Sequence, residues 1–231
     1  WAELARIEGE GGLAASLDKG AFQARVAGAS EARARDIARR KHVLIGTSDF
    51  ATAAAPLEIS QRREPRGGEL PALPSGRDAE PFEALRLAAD SLAARRKKPL
   101  AALLVGLGPA PSYRAREAFV RRLFELVGLT VELLPDPSAA AATDAAWLER
   151  EIGSRAPDVV CLVGADDVYP STAESVVKSV KRAGVAAVLL AGKPGTLADP
   201  LVAAGLTGSI ALGGDMVSLL RSLLSVLGGG A

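Results

Sequence analysis

The stretch "DVVCLVG", residues 158–164, carries apolar side chains without a break from Val159 to Val163. A strand with one face in water alternates apolar and polar residues. An unbroken run buries both faces. The same kind of run occurs at "LAALLVG", 100–106, and at "VAAVLLAG", 185–192. Segments of helical period lie between these runs. Strands buried on both faces and alternating with helices make a parallel sheet covered by helices.

Working outward, the pattern predicts strand 100–106, helix 113–127, strand 129–134, helix 143–154, strand 158–164, helix 171–183, strand 185–191, helix 196–204, strand 208–212 and helix 214–227. The predicted class is α/β. Five βα units of this length most simply form a flavodoxin-like, doubly wound five-stranded parallel sheet with strand order 2-1-3-4-5. A helix precedes it in "FEALRLAADSLAARRKKP", with Phe82, Leu85, Ala89 and Leu92 on one stripe and Pro99 ending it.

Three regions follow. Residues 1–50 read as a helical segment: 3–8 and 13–19 are short, and "SEARARDIARRKHVLIG" starts at Ser30 as an N-cap. Its end, "HVLIG", reads as a short strand or an extended exit. Residues 51–81 hold five prolines, several glycines and mixed charge without periodicity, which is the composition of a linker lying extended across a neighbouring surface. Residues 82–231 form the α/β domain.

The chain has 231 residues, 48% of them hydrophobic and only 4% aromatic, so its core rests on Ala, Val, Leu and Ile. A net charge of +1 gives no field to draw in nucleic acid or an acidic membrane. No apolar run reaches the roughly 18 residues of a membrane span, and no signal peptide opens the chain. One cysteine, Cys161, sits inside an apolar run and reads as a buried, inert thiol, in keeping with a cytoplasmic setting. The first residue is Trp1 rather than Met, which reads as part of a longer polypeptide.

In the predicted strand order, loops 106–113, 164–170, 191–196 and 213–215 are where a ligand would sit. Gly106 and Gly108 begin a dinucleotide fingerprint, but the third position is Pro111, and Pro109 and Pro111 remove two donors that pyrophosphate would need. No Gly-Lys-Ser/Thr follows the strand. A receiver-type phospho-acceptor lacks its acids after strand 1 and its lysine after strand 5. Asp166 and Asp167 form a thin cation site and read as helix-capping or solvated acids. The chain has one histidine, His42, so no Ser-His-Asp or Cys-His arrangement assembles within it. Arg114, Arg116, Arg121 and Arg122 read as a solvated helix face.

The order of pieces resembles methylmalonyl-CoA mutase chains. Trp1, Gly11 and Gly12, Gly20, Arg40 and Lys41, and Phe50 match the segment that closes the barrel in that family. A proline-rich linker follows, then a cobalamin-binding-type domain ending in "AGLTGSIALGGDMVSLLRSLLSVLG". The departures are specific. The family's cobalamin-binding chains carry Asp-x-His-x-x-Gly after strand 1, where this chain has "GPAPSYRAREA". After strand 3 the family's Ser-x-Leu is replaced by "GADDVYP", and after strand 4 its Gly-Gly by Ala191-Gly192.

The resemblance therefore implies the C-terminal part of the small, non-catalytic subunit of a heterodimeric mutase. It implies no catalytic residue, metal or cofactor in this chain, and adenosylcobalamin on a large catalytic partner subunit. Gly106, Gly108, Tyr113, Gly164, Ala191 and Gly192 would line a vestigial pocket. Tyr113, Phe119 and Tyr169, with Leu107 and Pro109 beside them, are expected to fill the gap between strands 1 and 3, the tyrosine hydroxyls at the solvent rim. Two alternatives stay open: a cobalamin-binding module without a protein histidine ligand, and a nucleotide or acyl-CoA binding module.

Overall fold

The computed structural model describes residues 1–51, 73, 76–134 and 145–229. Most of the expected linker and the start of the helix predicted from 143 lie outside these. Three helices open the chain: α1 (Ala2–Gly9), α2 (Leu13–Asp18) and α3 (Ala21–Ala38). Then come α4 (Glu80–Arg96), β1 (Ala101–Leu107), α5 (Ala110–Leu126), β2 (Thr130–Leu134), α6 (Ala145–Arg155), β3 (Val159–Gly164) and α7 (Tyr169–Arg182). The chain continues with β4 (Ala187–Ala191), a 3-10 turn at Gly195–Leu197, α8 (Ala198–Ala204), β5 (Gly208–Ile210) and α9 (Met216–Leu227).

The strands form one parallel sheet in the order β2-β1-β3-β4-β5. This is the α/β, flavodoxin-like arrangement that the apolar runs predict. β1, β3 and β4 are buried almost throughout. Alternate residues feed two separate cores. Ala102, Leu104, Cys161 and Leu189 face α4, α5 and α9, whereas Leu103, Val105, Leu162 and Leu190 face α6, α7 and α8. The helical opening joins the first core through Ile37, with Ala38, Leu44 and Ala51 packed beside it. No helix among the described residues is long and apolar enough to cross a membrane.

Several boundaries differ from the sequence reading. Ser30 is no N-cap; it lies inside α3, which starts after Gly20 in the left-handed region (φ 72°). "HVLIG" forms no strand beyond an isolated bridge between Ile45 and Asp49. α5 and α7 begin earlier than predicted, each with a proline in its first turn, where a missing N–H costs nothing. β5 is only three residues long.

The sheet's starting edge is pinned by one carboxylate. Asp158 Oδ2 accepts the Ala101 N–H at 2.8 Å, and Oδ1 accepts from Arg96 at 2.7 Å. The Asp158 side chain is only 11% exposed, so its loss strands a half-buried donor. Asp158→Ala is expected to lower stability by about 1–3 kcal/mol in urea denaturation; an unchanged midpoint contradicts this role.

Candidate functional site

Gly106 is a strand residue of β1 and not part of the following loop. Its missing side chain makes room for a ring. A Cβ built there would lie 2.6 Å from Cζ of Tyr113, which enters one turn into α5 and is 2% exposed. Gly108 performs the turn itself, with φ 82°. On the opposite face of the sheet, Tyr169 opens α7 and stands over Gly164, where a Cβ would lie 3.0 Å from the ring. The two tyrosines thus belong to the two different cores.

The backbone ladder between β3 and β4 stops at Leu162 and Leu190. β1 and β3, by contrast, stay paired to Leu107 and Gly164, so the gap expected between strands 1 and 3 is absent; it is β3 and β4 that Tyr169 bridges. Its hydroxyl accepts the Gly164 N–H at 2.9 Å and donates to the Ala191 carbonyl at 2.6 Å. Burial pushes the phenol's pKa up, and the neighbouring Arg116 and Gly164 N–H only partly oppose this. The phenol therefore stays protonated and can donate. This corrects the expectation that the tyrosine hydroxyls sit at the solvent rim.

Arg116 reaches over the same strand ends. Nη1 donates to the Gly164 carbonyl at 2.6 Å and to the Ala191 carbonyl at 3.4 Å, while Nη2 pairs with Asp166 at 2.7 Å. The guanidinium lies 5.8 Å from the Tyr169 ring centroid. Burial alone would lower its pKa, but the hydrogen bonds to Asp166 and Tyr169 outweigh it and the net shift is upward. Gly192, at φ 129°, passes beneath: a Cβ there would meet Arg116 Nη1 at 3.2 Å and Asp166 Oδ1 at 3.4 Å.

Of the expected pocket residues, Ala191 and Gly192 line an open cleft, Gly106 and Gly164 are covered by Tyr113 and Tyr169 on opposite faces of the sheet, and Gly108 makes the adjoining turn. Phe119 does not join the tyrosines. It is half-buried, carries the Arg40 guanidinium 5.3 Å above its ring, and walls a cleft beside β4 and β5. Pro109 is exposed, and Leu107 belongs to the core that Tyr169 joins. Of the four arginines expected on a solvated face, Arg114 and Arg122 are exposed, and Arg121 pairs with Glu117 and the Val131 carbonyl. Arg116 departs from that reading. Its spacing of three from Tyr113, which puts both on one flank of the helix, was the available signal.

At the strand ends Tyr169, Arg116 and Asp166 offer hydrogen-bonding and charged groups. Among the described residues no three of His, Cys, Asp and Glu come together as a metal site. Asp166 and Asp167 are exposed, and the start of α7 has no side-chain cap. His42 is exposed in the segment after α3. Cys161 is fully buried in β3, and burial pushes its thiol pKa far up.

Comparison with known proteins finds relatives of this chain. Residues 1–97 match the family model described as methylmalonyl-CoA mutase. The methylmalonyl-CoA mutase small subunit of Streptomyces virginiae is 33% identical over 230 residues, covering 99% of this chain and 35% of that protein. A Mycobacterium tuberculosis protein named "Probable methylmalonyl-CoA mutase small subunit" is 31% identical over 206 residues, 86% of this chain and 30% of that one. The chain thus spans about a third of the length of these relatives.

The closure of the strand ends has measurable consequences. Tyr169→Phe keeps the ring and strands the buried Gly164 N–H; a loss of about 1–3 kcal/mol is expected in urea denaturation. Gly106→Ala is expected to cost about as much through overpacking, and much less in a Tyr113→Leu background. Equal costs in the two backgrounds would show that Tyr113 does not fill the space over Gly106.

Proposed function

We propose, from the premise that the chain belongs to the methylmalonyl-CoA mutase family, that it is the C-terminal part of the small, non-catalytic subunit of a cytoplasmic heterodimeric mutase. The large partner subunit carries adenosylcobalamin and interconverts methylmalonyl-CoA and succinyl-CoA. This chain contributes a folded support and no reacting group.

The observation that carries the reading is the closure of the strand ends. Tyr113 fills the space over Gly106, and the Tyr169 hydroxyl and the Arg116 guanidinium occupy the splay between β3 and β4. Loop 106–113 offers no histidine to meet a cobalt and no acid to orient one. Between strands 1 and 3, where the nucleotide arm of a cobalamin is expected to enter, β1 and β3 stay paired to Leu107 and Gly164 and leave no gap for it. No catalytic step is therefore routed through this chain. A module that holds cobalamin without a protein histidine would need that entry open.

Titration of the purified chain with hydroxocobalamin tests the reading directly. No shift of the visible spectrum and no retained colour after gel filtration are expected. A stoichiometric pink complex would replace this reading with that of a carrier. Co-expression with a large mutase chain containing an intact Asp-x-His-x-x-Gly is expected to give one co-eluting complex.

A further inference from the structure

A cleft of about 530 Å³ opens beside the ends of β4 and β5, against the first turns of α5. Its walls are mainly apolar, with Ala115 and Phe119 on one side and Ile210, Ala211 and Leu212 on the other. Leu212 is 80% exposed, an apolar side chain held in water beside an apolar wall. The volume lies within the range of small-molecule sites, roughly 300–1,000 Å³. The position, at the carboxyl end of the strands of an open sheet, is where such sites form.

The charges within the cleft define the class of ligand. Arg116 is anchored, because Nη1 is held by the Gly164 and Ala191 carbonyls. Its counter-ion is not anchored in the same way. The Asp166 side chain is 74% exposed, and an ion pair so open to water holds its partner weakly. The cleft therefore contains a fixed cation with a replaceable anion. Lys193, exposed on the loop after β4, adds a second cation to the lining.

We propose that this cleft binds a compact amphipathic organic anion. Its apolar body, best a flat aromatic one, lies against Phe119, Ile210 and Leu212. Its carboxylate, sulfonate or phosphate displaces Asp166 from Arg116. Asp166 thus acts as an internal stand-in for the ligand's own charge and sets a threshold for binding. The proposal does not depend on the mutase reading, and a hydroxocobalamin titration without binding leaves it untouched.

Fluorescence titration with anilinonaphthalene sulfonate is the test, with its uncharged counterpart phenylnaphthylamine as control. Saturable one-site binding of the sulfonate is expected. Asp166→Asn removes the internal competitor and is expected to tighten that binding about two- to fivefold, the scale of an exposed ion pair. Lys193→Glu is expected to weaken it by a similar factor. Both residues are exposed, so unaltered melting curves serve as the folding control. The uncharged probe should respond to neither substitution. No saturable binding, an Asp166→Asn variant that binds no more tightly, or an uncharged probe that follows the same ranking would each overturn the proposal.

Discussion

Leu103 and Leu104 are adjacent in sequence, point to opposite faces of the sheet, and neither meets water. That double burial is the constraint behind the rest of the molecule. A strand that is apolar on both faces needs a layer of helices on each. The chain supplies α4, α5 and α9 for one and α6, α7 and α8 for the other. With few aromatic residues available, both layers are filled mainly by Val, Leu and Ala, which allow helices to lie close on the sheet. The helical opening adds its own Ile37 to the first layer instead of forming a separate core.

A parallel ladder leaves a second difficulty where it ends. Buried backbone donors and acceptors past the last ladder bond still need partners. In this chain β3 and β4 part beyond Leu162 and Leu190, and side chains take over from the backbone. Tyr169 satisfies one donor and one acceptor with a single hydroxyl, and Arg116 satisfies carbonyls of the same two strands. Both tyrosines in the sequence are placed at strand ends. The cleft beside β5 remains because β5 stops after three residues and leaves Ala211 and Leu212 outside the sheet.

The sheet was legible because unbroken runs such as 158–164 have one physical meaning at this length. Strand order followed from the number and spacing of the units. The start of α3 was not legible from Ser30, since Gly28 and Ser30 both lower helix propensity yet lie within a continuous helix that packs through Ile37. The starts of α5 and α7 were written in Pro111 and Pro170, but a proline marks a first helical turn and a loop equally well. The candidate site was legible as a set of glycines. What each glycine makes room for was not, because the ring over Gly106 comes from seven positions further along and the hydroxyl beneath Ala191 from a different helix. Arg116 was hidden by its company, three other arginines on the same helix that stay outside.

The pairing of Gly106 with Tyr113 has an evolutionary consequence. Removing the ring first leaves a buried void, at a cost of about 3–5 kcal/mol for a large aromatic side chain. Enlarging Gly106 while the ring remains brings backbone and ring into collision. Each of these single changes lowers stability before any new ligand can compensate. The ring and the glycine therefore constrain each other, and either one changes at low cost only together with the other.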